Sequence, residues 1–130
     1  MKTLLCGVAI ATSLAAPLCA DDSLPLASGI DVAFLDQILE QQAGGETWLT
    51  LRYVAPRIGF DAGEKGYEEI AGDLDQLCNT QGLSAAADVG GVDQVVITLM
   101  DRPVARGESD PDATMFMGAY VPTKGGCVWQ

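Results

Sequence analysis

Tyr67, Ile70, Ala71, Leu74, Leu77 and Cys78 recur at helical spacing, and this stripe, in a chain otherwise patterned as strands, most restricts the fold. Residues three and four apart share one helix face, so the stripe needs a layer to pack on. Glu68, Glu69, Asp73, Asp75 and Gln76 fall mostly off it, on the face expected to meet water. Cys78 occupies the last turn on the buried side, and Gly82 is the expected terminator. Leu83 to Val92 is small and turn-rich and reads as a loop.

The layer is a sheet. Val92 to Met100 is the strongest strand, with Val95, Ile97 and Leu99 on one face and Val96, Thr98 and Met100 on the other, which suits a central position. Residues 30–39 alternate until they become irregular near Asp36, and Gly44-Gly45 can turn them into a hairpin with Trp48 to Val54. Pro56 stops that strand, and residues 57–66 form a loop. Pro103 ends the central strand before a polar loop from Asp101 to Asp112, where Ser109 or Asp110 caps a short helical turn with Pro111 at its first position. Met115 to Val121 reads as a strand or a helix running into one, and Gly125-Gly126 turns the chain into Cys127-Val128-Trp129. The expected order is β-β-α-β-(α)-β-β, an α+β domain with one main amphipathic helix on a mostly antiparallel sheet.

The first 20 residues read as an export signal. Lys2 is the positive start, Leu4 to Leu18 is apolar, and Ala20 is the small residue before Asp21-Asp22 at which cleavage is expected. The apolar run falls short of the roughly 20 residues a membrane span needs, so no stable span is expected after cleavage. Leu18 before Cys19 speaks against a lipid anchor. The periplasm is the expected compartment, and residues 21–130 are expected to form a single domain.

Cleavage also removes Cys6 and Cys19, leaving Cys78 and Cys127 as the only thiols. Two cysteines in an oxidising compartment point to one disulfide, tying the helix end to the last strand. Closing a loop of about 50 residues contributes about 4 kcal/mol in the chain-entropy treatment. With Lys2 gone, six basic residues face 18 acidic ones, a net charge of −12. A surface of that sign repels phosphates, so no nucleic-acid partner is expected.

The chain has no histidine. A Ser-His-Asp triad, a Cys-His pair and a histidine-ligated metal are therefore closed, and no cofactor or metal is expected. Paired carboxylates leave a small hydrolase as one alternative. Glu108, Asp110 and Asp112 could offer oxygens to calcium, a second alternative, although the glycine and closing glutamate of an EF-hand are missing. Asp101, Arg102, Arg106, Asp110 and Asp112 are the candidate binding residues, because they gather mixed charge directly after a buried strand. The bland reading pairs Arg102 or Arg106 with Asp101 or Asp110 as a brace; Arg52 and Arg57 lie where they can approach the same edge.

The run Ile97-Thr98-Leu99-Met100-Asp101-Arg102-Pro103-Val104, with Gly107, Asp110-Pro111-Asp112-Ala113-Thr114 and Cys127-Val128-Trp129, resembles a family of small exported bacterial proteins of unknown function. Arg52-Tyr53-Val54-Ala55-Pro56 and the helix with Asp73, Leu77 and Cys78 also fit it. Members sometimes carry the label acetolactate synthase, but none of the thiamine-diphosphate motif is present. The resemblance implies compartment and fold and no mechanism. The expected function is a non-catalytic binding or accessory protein of the bacterial envelope, acting on an envelope protein or a small ligand.

Overall fold

The computed structural model describes residues 23–59 and 66–130. The export signal expected over residues 1–20 lies outside the described residues, as does most of the loop expected after Pro56. Six strands form one sheet in sequence order: β1 (Ser23–Pro25), β2 (Asp31–Gln41), β3 (Thr47–Val54), β4 (Gln94–Met100), β5 (Met115–Thr123) and β6 (Gly126–Trp129). Every neighbouring pair is antiparallel except β3 and β4, which run parallel. A parallel pair needs a crossover, and the helix supplies it by packing on one sheet face. The observed order is therefore β-β-β-α-β-β-β.

The helix is longer than its stripe. Helix α1 (Tyr67–Leu77) passes through a π-turn at Cys78–Gly82 and continues as α2 (Leu83–Asp88), which corrects the loop expected at 83–92. Small residues do not stop a helix when Ala85, Ala86 and Ala87 favour it, and Ala86 is buried beneath it. Gly82 does not terminate the helix. A Cβ there would lie 2.9 Å from Val95 Cγ1 and 3.2 Å from Cys78 Sγ, so the glycine lets the helix approach β4 closely. The helix ends instead at Gly90 and Gly91, both at positive φ.

The core lies between helix and sheet. Ile70, Leu74, Leu77 and Cys78 are buried against Leu49, Leu51, Val95, Ile97 and Leu99, as the stripe requires, while Tyr67 is partly exposed at its edge. Cys78 and Cys127 form a disulfide with Cα atoms 6.2 Å apart, fastening the helix to β6. Asp73, expected on the wet face, is buried. Its carboxylate accepts the Ser28 amide at 3.1 Å and the Ser28 hydroxyl, and so holds the β1–β2 turn against the helix. β1 itself has three residues, too short for an alternating pattern to announce it. The short helix expected near Asp110 is also absent: Ala113 N–H donates to Asp110 O, giving a turn.

A bulge in β2 decides what lies on the opposite, helix-free face. The register shifts between Phe34 and Asp36, so Phe34 opposes Tyr53 on the helix side, whereas Asp36 opposes Arg52 on the other. One inserted residue inverts the facing of everything that follows it. Asp36 and Glu40 thereby join Arg52 and Trp48 on the free face.

Candidate functional site

The segment between β4 and β5 folds back over the free face and encloses a groove of about 390 Å³. Trp48, Thr50 and Arg52 of β3, Val96, Thr98 and Met100 of β4, and Met115 and Met117 of β5 form its floor and one wall. Val104, Ala105, Arg106, Gly107 and Glu108 form the other wall, with Glu40 and Gln42 at one end. Such a volume suits a small molecule or a few side chains of a partner. A second depression of about 250 Å³ lies on the helix side, between Phe34, Gln37, Ser84 and Asp88.

Arg52 holds the loop down. It is 7% exposed, and its Nε and Nη2 donate to the two carboxylate oxygens of Asp36 at 2.7 Å each. Nη1 donates to Val104 O at 2.8 Å, a buried bond across the groove wall. A guanidinium suits this task because its planar fork serves a carboxylate and a carbonyl at once. The hydrogen bonds from Arg52 hold the Asp36 carboxyl below the usual carboxylate range, and Asp36 in turn raises the Arg52 pKa.

Asp101 closes the loop at its base. Its side chain is 5% exposed and accepts Arg102 Nη2 at 2.8 Å and the Thr114 amide at 2.8 Å. Asp101 N–H donates to Thr114 O at 3.0 Å, so the two ends of the loop are zipped together. A Cβ on Gly59 would lie 2.7 Å from Asp101 Oδ2, which explains a glycine at that contact. The bond from Arg102, with the Thr114 amide, depresses the Asp101 pKa.

The five candidate residues therefore do not converge. Asp101 and Arg102 form one pair at the loop base. Arg106 reaches across the groove to Glu40, Nη2 to Oε2 at 2.6 Å, rather than to Asp110. Asp110 spends Oδ1 on the Asp112 amide at 2.9 Å, and Asp112 is exposed in that turn. Among the described residues no group of three or more His, Cys, Asp or Glu side chains gathers as a metal site, so Glu108, Asp110 and Asp112 are not brought together as a calcium loop would need. Nor is any helix of the described residues long and apolar enough to cross a membrane.

Sequence reasoning placed Arg52 near this edge but missed its partner and the methionine wall. The available signal was alternation: Thr50 and Arg52 interleave with Leu49, Leu51 and Tyr53, which puts a polar row opposite the core face. Asp36 could not be assigned to that row without the bulge.

Both groove arginines are neutralised by carboxylates, whereas the Glu108 carboxylate has no partner among the described residues. The uncompensated charge at the groove is negative. No curated protein and no solved structure matches the chain. The model of a family of unknown function (DUF6497) matches residues 7–130, and the chain belongs to that family.

Proposed function

We propose that the protein is an exported, non-catalytic binding domain of the bacterial envelope whose groove takes an apolar, positively charged segment of a partner protein. The observation that carries this reading is the groove itself, where apolar side chains of three strands stay open to solvent under a wall fixed by Arg52. Soluble folds rarely leave such apolar surface open without a use for it. Methionine and tryptophan suit an adaptable contact with another chain. Charge selects the partner, since Glu108 and the acidic surface favour a cationic segment. Export is supported by the apolar leader with its Ala20 boundary and by a disulfide of the kind oxidising compartments maintain.

Binding rather than catalysis is supported by the carboxylates. A general acid needs a carboxyl whose pKa is raised, and Asp36 and Asp101 are both held ionised by arginines. The test is capture from the native envelope with the groove filled. Thr50→Arg or Val96→Arg should abolish capture of the partner that wild type retains, and Glu68→Arg on the exposed helix face should not. Equal capture by all four proteins would remove the groove from the binding site.

A further inference from the structure

We propose that the methionine end of the groove is a site for a soft monovalent metal ion, cuprous copper, held by the thioethers of Met100, Met115 and Met117. The chain has four methionines, and all three that follow Met1 line this groove. Met100 and Met115 are direct partners across β4 and β5, and Met117 stands two residues further along the same face, opposite Thr98. Directly paired residues bring their Cβ atoms about 5 Å apart, and a methionine side chain with three rotatable bonds closes the remaining distance at little cost.

Packing does not account for the arrangement. Met100 is fully buried, yet Met115 and Met117 are 42% and 56% exposed, and packing within the domain gains nothing from two thioethers that branched aliphatic residues would not supply. Metal chemistry does account for it. Thioether sulfur is a soft donor that selects cuprous copper and offers little to zinc, calcium or magnesium. Among the described residues competing soft or borderline donors are missing: the chain has no histidine, and Cys78 and Cys127 are joined to each other. Arg52 shares the row of Thr98 and Met117 but is neutralised by Asp36. A cation at the methionines therefore faces no uncompensated positive charge from that row. Binding leaves the ion in its cuprous state and requires no electron transfer.

This inference stands apart from the partner-binding reading, because leucine preserves the apolar wall while removing the sulfur. The experiment uses the disulfide-intact protein under anaerobic conditions, with cuprous ion supplied as its coloured bicinchoninate complex. Wild type should withdraw one cuprous ion per chain. The Met115→Leu, Met117→Leu double variant should hold it at least about tenfold more weakly with an unchanged urea midpoint, because the swap conserves volume. In a second measurement, added silver ion should shift the ε-methyl resonances of all three methionines. A wild-type protein that leaves the bicinchoninate complex intact, a leucine variant that binds as tightly, or silver shifts that spare Met100 would each overturn the proposal.

Discussion

Arg52 and Asp36 face each other across β3 and β2 because a one-residue bulge turns Asp36 onto the face that Arg52 already occupies. The pair then does more than neutralise charge, since the third donor of the guanidinium holds Val104 O. The bulge thus places the carboxylate that orients the guanidinium holding the wall of the groove.

Arg52→Ala should lower stability by about 1 to 3 kcal/mol, the range for losing hydrogen bonds to a charged group with a buried carbonyl left unpaired. Arg106→Ala, whose pair with Glu40 is half exposed on both sides, should cost less than about 1 kcal/mol. Urea midpoints separate them; equal shifts would show that Arg52 does not anchor the loop.

Leu74→Ala removes a fully buried side chain beneath the helix and should cost about 2 to 5 kcal/mol. Asp75→Ala, on the face expected to meet water, is not silent either. Tyr120 is buried, with its pKa raised first by that burial, and its hydroxyl donates to Asp75 Oδ1 at 2.6 Å. Stranding that hydroxyl should cost about 1 to 3 kcal/mol. Glu68→Ala, on the exposed face, should leave the urea midpoint within about 0.5 kcal/mol of wild type.

Acid should loosen the groove wall. The Asp36 and Asp101 pKa values are lowered in the folded protein, by Arg52 and by Arg102 respectively. Their contribution is therefore fully present above the unfolded carboxylate value of about 3.9 and is lost as pH falls through the lower folded values. Asp101→Asn should be less stable than wild type at neutral pH and should lose less stability below about pH 4. Parallel stability curves for the two proteins between pH 2 and pH 7, as approximate working limits, would contradict the linkage.

Non-reducing mass spectrometry should find Cys78 and Cys127 joined. Replacing both with alanine should cost up to about 4 kcal/mol, the loop-closure value for a separation of 49 residues. Two free thiols in the protein would refute the pairing.

The α+β class, the hairpin, the central strand and the disulfide were legible in the sequence, because each rests on side-chain period or on cysteine count. Val95, Ile97 and Leu99 announce β4 by alternation, and the irregularity near Asp36 marks the bulge. What alternation cannot encode is which side a strand presents after a bulge, so the Asp36–Arg52 pair stayed hidden. Local composition also misled at Leu83–Asp88, where alanines that read as a loop continue the helix by packing on the sheet. The candidate loop from Asp101 to Asp112 forms one wall of the groove through Val104 to Glu108. Asp101 and Arg102 fix its base, while the groove beneath is built from strand residues that read individually as ordinary sheet side chains.

The most direct test of the groove as a binding surface places a photo-crosslinking residue at position 50, on its floor, and in a second protein at position 68, on the exposed helix face. Irradiated in its native cells, the first should give one discrete adduct with a partner protein, and the second should give none. The adduct should disappear when Val96→Arg fills the groove. A partner captured at 68 and not at 50, or an adduct at 50 that survives Val96→Arg, would contradict the assignment.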